Sequence, residues 1–168
     1  MAVIALNLRP PHNEITAVGN GVAGGHVWVE RIETIDWKNQ TPTGASREFL
    51  VSFFDWTLGQ KTPIWPFDSA NLPAGSTCIG PDAKTWLRVP AAGVKTQLAV
   101  GASTLLVKYD VHVGTVGAGS ACVPDASITP LDPAMIIRPR TSAVNVAFGV
   151  TCAVLGAVAG ALVTALLS

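Results

Sequence analysis

Charge is what this sequence has least of. Asp, Glu, Lys and Arg make up 13% of its 168 residues, in equal numbers of each sign, so the formal net charge is zero. Globular chains ordinarily carry about 25%. A protein that neutralises phosphates needs clustered Lys and Arg, and the tightest basic group here is Arg138-Pro139-Arg140. Direct nucleic-acid binding is therefore disfavoured. Cysteine is scarce too: Cys78, Cys122 and Cys152 lie far apart, with no Cys-x-x-Cys or Cys/His ligand spacing, so no zinc or redox site is signalled. They read as three reduced, partly buried thiols, with a Cys78–Cys122 bridge as an alternative that spacing does not decide. The apolar start, residues 1–8, lacks a basic n-region and reads as a first strand rather than a signal peptide.

Catalytic patterning is missing as well. Asp110 and His112 share the parity of one strand face, but no nucleophile or third partner accompanies them. Ser46, Ser52 and Ser69 lack a G-x-S-x-G setting, and Asp55, Asp68 and Asp82 lack calcium-loop spacing. Asp68 and Asp82 fit turns. No phosphate-binding glycine loop follows Gly24-Gly25. The sequence points to a protein that is not an enzyme, with no cofactor and no metal.

What the chain does have is punctuation and apolar bulk. Sixteen Gly and twelve Pro interrupt a sequence that is 49% hydrophobic, a density that suits many short strands. Strand signals fall at residues 14–18, 26–35, 85–89 and 94–100, and 47–58 could be a strand or a short helix. The clearest is 104–113, where Val107, Tyr109, Val111 and Val113 alternate with Lys108, Asp110 and His112, as in a half-buried strand with one wet face. The Pro-rich stretch 59–81 reads as a loop that Trp65 and Phe67 pin to the core. The expected fold is mainly β, an antiparallel sandwich or jelly-roll-like domain over 1–116. A Pro-rich linker or arm over 117–142 follows, in which Met135-Ile136-Ile137 docks on the body. One hydrophobic α-helix closes the chain over 143–167. The five tryptophans, Trp28, Trp37, Trp56, Trp65 and Trp86, are expected to be core or interface anchors.

The tail carries the sharpest pattern. No charged residue occurs from Thr141 to Ser168, and residues 143–167 would make a helix about 37 Å long, longer than the roughly 30 Å hydrocarbon core of a bilayer. Arg138 and Arg140 before it favour a cytoplasmic domain if the tail spans a membrane. Its many Ala and Gly residues make insertion marginal, so burial within a soluble assembly is the alternative. Gly149, Ala153, Ala157 and Ala161 form one small-residue ridge, and Gly156 and Gly160 a G-x-x-x-G pair on the next. Such ridges let helix backbones approach closely.

The segment Ser103-Thr104-Leu105-Leu106-Val107-Lys108-Tyr109-Asp110-Val111-His112-Val113 resembles the last strand of jelly-roll coat proteins of small icosahedral RNA viruses. In that family a similar alternation closes the shell domain. The basic RNA-binding arm usual in the family is missing here, so the resemblance implies other virion proteins as partners, with genome contact coming from another protein or from few charges. The hydrophobic tail is similar in character to the membrane-active C-terminal helix of some non-enveloped coats. The resemblance implies a viral or phage structural protein (capsid, spike or minor shell component) located in the virion. Such a protein would form homo-oligomers and pack through its tail or contact a lipid membrane. The alternative reading is a tail-anchored cellular membrane protein, a receptor or pore component with a cytoplasmic β-domain.

Overall fold

Alternation of apolar and polar residues decides the first strand. In β1 (Ala2–Arg9), Ala2, Ile4, Leu6 and Leu8 are buried while Val3, Ala5 and Asn7 are only half covered, the period of two that a pleated strand imposes. A computed structural model describes residues 1–10, 13–30, 33–41, 47–99 and 105–138. Within them β1 sits in the middle of a sheet with β2 (Glu14–Gly19), β3 (Val22–Ala23), β5 (Thr34–Asn39) and β10 (Val94–Gln97), in the order β10-β5-β1-β2-β3. The second sheet runs β4 (Val27–Glu30), β13 (Ala134–Arg138), β11 (Leu105–Val116), β6 (Glu48–Asp55), β9 (Thr85–Val89), β8 (Thr77–Ile79). Two short strands pair beside that path, β7 (Thr62–Pro63) with β6 and β12 (Cys122–Pro124) with β11. The two sheets form a sandwich-like, mainly β arrangement.

Both sheets are mixed rather than antiparallel. β1 runs parallel to β5, and β4 parallel to β13. The cause is a change of sheet: residues 26–35 read as one strand but make two, with β4 in one sheet and β5 in the other, and Glu33 N–H donates to Glu30 C=O at 3.1 Å between them. Close contact between the layers is helped by Gly19, where a Cβ would run into Val27 and the carbonyl of His26. The stretch 117–142, expected as a linker, differs as far as Arg138. It holds β12 and β13, and β13 is an inner strand between β4 and β11. Met135 and Ile137 are buried there, so the expected docking of this segment takes the form of strand pairing. The helix expected over 143–167, with Gly149, Ala153, Gly156, Ala157, Gly160 and Ala161, lies outside the described residues.

The core is aromatic. Trp37 of β5, Phe53 of β6, Tyr109 of β11 and Phe67 meet edge to face or tilted, with centroids 5.5 Å apart for Trp37–Tyr109 and 4.9 Å for Phe53–Phe67. Such pairs add about 0.5–1.5 kcal/mol each beyond their buried area. Trp65 joins through Phe67 at 5.3 Å, so these two residues do hold the 59–81 stretch against the body, but it is not all loop as expected, since it contains β7 and β8. The two polar atoms this core must bury are satisfied. Trp37 Nε1 donates to Thr96 Oγ1 at 2.9 Å, and the Tyr109 hydroxyl donates to the Gly25 carbonyl.

Candidate functional site

The chemistry-bearing side chains gather on the outer face of the second sheet. Because parity fixes the face, Glu48, Leu50, Ser52 and Phe54 of β6 share it with Trp86 and Arg88 of β9 and with Lys108, Asp110 and His112 of β11. The cross-strand register places Leu50 beside His112 and Arg88, and Ser52 beside Asp110. Arg88 forks onto Glu48, Nε to Oε2 and Nη2 to Oε1 both at 2.6 Å. These bonds push the guanidinium pKa up, against the effect of burial. Lys61 Nζ reaches both oxygens of Asp110, at 2.8 and 2.7 Å, and lies 4.4 Å above the Phe54 ring.

Asp110 and His112 therefore have different neighbours. The carboxylate is engaged by Lys61, while the imidazole lies against the Trp86 indole with centroids 5.0 Å apart. Burial lowers the His112 pKa; the Asp110 charge raises it and the Lys61 charge lowers it further. The carboxylate is thus taken up by Lys61, and the imidazole by the Trp86 ring, rather than by each other.

Beyond His112 the same face carries a small second core of Leu50, Cys78, Trp86 and Cys122, with Val116 against it. Cys78 and Cys122 are joined by a disulfide with Cα atoms 5.4 Å apart, which corrects the expectation of three reduced thiols. The bond ties edge strand β8 to β12, so that the end of β11 and the 117–121 turn fold over the sheet. The Trp86 indole is fixed by Nε1–H donating to Asp82 Oδ1 at 3.2 Å, and Lys84 N–H donates to the same oxygen at 3.1 Å. Asp68 likewise accepts from Ala70 N–H at 3.0 Å. Both aspartates serve turns.

Two hollows open on this surface. A cleft of about 190 Å³ lies among Ser52, Phe54, Trp65, Asp82 and Lys84, below the roughly 300 Å³ at which small-molecule sites begin. A neighbouring hollow of about 490 Å³ along the 69–77 loop is lined by Trp65, Ser69, Leu72, Pro73 and Thr77, among others, and no titratable group lines it. Among the described residues no cluster of three His, Cys, Asp or Glu could hold a metal ion.

The tryptophans separate by depth. Trp37 is fully buried and Trp86 nearly so, which makes both internal anchors; Trp56 and Trp65 are half covered. Trp28 is 56% exposed, with the Arg138 guanidinium carbon 4.0 Å above its ring. Its position was readable from its neighbours, since Val27 and Val29 point inward and leave Trp28 outside. Leu58, 91% exposed at the tip of the turn after β6, was missed. An apolar residue just before Gly59 in a turn was its signal. Among the described residues no helix is long and apolar enough to cross a membrane.

No protein-family model matches the sequence, and no curated protein matches it. Among solved structures it is similar to a multicopper oxidase from Campylobacter jejuni, described as a metallo-oxidase, at a TM-score of 0.34 and 11% identity. That likeness covers 75% of this chain and 24% of the oxidase chain, so the chain spans about a quarter of its neighbour's length. It carries no argument about function.

Proposed function

We propose that this chain is a non-catalytic structural protein of an assembled surface such as a viral or phage particle. The β-sandwich would be the displayed body, and the charge-free tail would drive oligomer packing or membrane contact. The observation that carries the reading is the pairing of a filled aromatic core, whose outer-face charges are already matched to one another, with a tail free of charge from Thr141 onward. A face on which Arg88 is engaged by Glu48 and Asp110 by Lys61 suits lateral packing better than turnover. The coat-protein resemblance of β11 points the same way, although the parallel pairs β1/β5 and β4/β13 depart from an all-antiparallel jelly roll.

A second reading, a membrane-anchored protein of a cell surface, is favoured by the Cys78–Cys122 disulfide. Disulfides persist in oxidising compartments and are rare in the cytosol. On this reading the domain would lie on the oxidising side, opposite to the side that Arg138 and Arg140 favour. Electron microscopy of the full chain beside a chain ending at Arg140 tests the first reading. Regular shells, rings or filaments that vanish on truncation support it. Small detergent-bound oligomers of the full chain would overturn it in favour of the anchored protein.

A further inference from the structure

The strand directions bring several separate turns to one end of the sandwich. β13 and β4 both finish there, at Arg138 and Glu30, which stand opposite each other in register. β6 finishes at the same end, because Val107 near the start of β11 pairs with Asp55, and the turn carrying Leu58 follows at once. In the other sheet β2 ends there and turns through Asn20 and Gly21 into β3, with Asn20 N–H donating to Val3 C=O at 2.8 Å near the start of β1. Of the large apolar side chains exposed among the described residues, Met1, Val18, Val22, Trp28 and Leu58 belong to this end, while Ile79 and Val123 lie beside the disulfide. The opposite end carries exposed Arg9 and Glu14 across the β1–β2 pairing.

Arg138 is also where the described chain leads towards the charge-free segment from Thr141 to Ser168. The end of the domain with exposed apolar tips is thus the end from which the tail continues. Leu58 and Val22 are 91% and 54% exposed. Trp28 stands two residues back from the end of its strand, about 7 Å at 3.3 Å per residue. Its indole lies under the Arg138 guanidinium. Exposed apolar tips beside a stacked Trp–Arg pair suit the bilayer boundary, where acyl chains give way to a headgroup zone that favours Trp and basic side chains. The acidic groups nearby are partly matched. Glu33 pairs with the amino terminus, Asp55 accepts from Thr57 N–H at 2.8 Å, and Glu30 faces Arg138 across the β4/β13 register.

We propose that this end of the domain rests on the phospholipid bilayer that takes the tail. Leu58, Val22 and the Trp28–Arg138 pair meet the headgroup zone and its boundary with the acyl chains. The inference rests on the reading that the tail contacts a membrane, and a single preparation tests the two separately. The full chain is reconstituted with phosphatidylcholine–phosphatidylglycerol vesicles whose acyl chains are brominated near the headgroup. Flotation after alkaline carbonate washing reports the tail; quenching of tryptophan fluorescence reports the domain. The expected result is flotation with clear quenching, most of which is lost in Trp28→Phe and in Leu58→Asp with Val22→Asp, while near-ultraviolet circular dichroism stays unchanged. Flotation without quenching overturns the proposal and leaves the membrane reading standing. Failure to float overturns both. Flotation in which Trp28 is unquenched by lipid yet shielded from aqueous acrylamide would mean that a protein partner covers this end, and also overturns the proposal.

Discussion

Trp37 and Thr96 stand 59 residues apart in sequence and 2.9 Å apart in the core, the indole Nε1 donating to the threonine hydroxyl across the β5/β10 pair. Both residues are fully or almost fully buried, at 0% and 1% exposure. The bond is what lets a tryptophan occupy the centre of the sandwich, because an indole N–H without a partner there would bear its whole desolvation cost. Thr96→Val keeps the shape and removes the acceptor. It should destabilise the domain by about 1–3 kcal/mol, read as a lower urea midpoint. Thr96→Val combined with Trp37→Phe should cost less than the sum of the two single changes, since the double variant orphans no donor. Additive costs would mean that the bond contributes nothing specific.

The Cys78–Cys122 disulfide closes a sequence separation of 44 residues and is buried on the outer face under the 117–121 turn. A loop of that size is worth about 2–4 kcal/mol. Cys78→Ala with Cys122→Ala should lower the urea midpoint correspondingly while leaving the aromatic near-ultraviolet signal of the main core in place. In denaturant without reductant, alkylation should leave the peptides of Cys78 and Cys122 unmodified, and reductant should expose both. Full labelling without reductant would refute the bond, and with it the argument for an oxidising compartment.

What could be read in advance follows from how local each cause is. The Val107-x-Tyr109-x-Val111-x-Val113 alternation lies within one strand, and β11 has those four side chains buried. β6 was ambiguous because both its faces are covered: Phe49, Val51 and Phe53 point into the sandwich, and Leu50 and Ser52 lie buried on the other side. That double burial removes the period that separates strand from helix. The parallel pairings and the disulfide join residues tens of positions apart, and nothing near Cys78 in sequence announces Cys122. β12 and β13 were hidden by the prolines around them. Each is short, and Pro130 and Pro133 precede the five residues of β13. Of the outer face, Asp110 and His112 were correctly placed on one side of β11. Their separation by Lys61 and Trp86 depended on loops and strands that the local pattern does not position.

His112 gives the fold a pH dependence of definite sign. Burial holds its pKa below the ordinary 6.5, with Asp110 opposing and Lys61 reinforcing the shift. The folded imidazole thus takes up a proton less readily than the unfolded one. This contribution is complete above about pH 6.5 and is lost as pH falls from there through the folded value. The urea midpoint should fall between about pH 7.5 and about pH 5.5, above the range in which carboxylates titrate. His112→Phe keeps an aromatic ring beside Trp86 and should flatten the profile over that interval. An equally steep fall in the variant would assign the dependence to another group.

The tail prediction rests on size rather than charge. Gly156 and Gly160 stand four residues apart in sequence, a spacing that the expected helix would turn into neighbours one turn apart, beside a ridge of Gly149, Ala153, Ala157 and Ala161. Glycine inside a helix costs about 1 kcal/mol relative to alanine, a loss that close backbone approach between helices offsets. Gly156→Leu with Gly160→Leu should raise the intrinsic preference for helix and the hydrophobicity of the segment, yet fill the groove a neighbouring helix would occupy. Assembly and insertion therefore respond in opposite directions. Sedimentation velocity should show the full chain falling to smaller species, while its partitioning into vesicles holds or improves and the circular dichroism of the β-domain does not change. An unchanged size distribution would mean that the small residues are only an outcome of composition, and that any self-association belongs to the outer face of the second sheet.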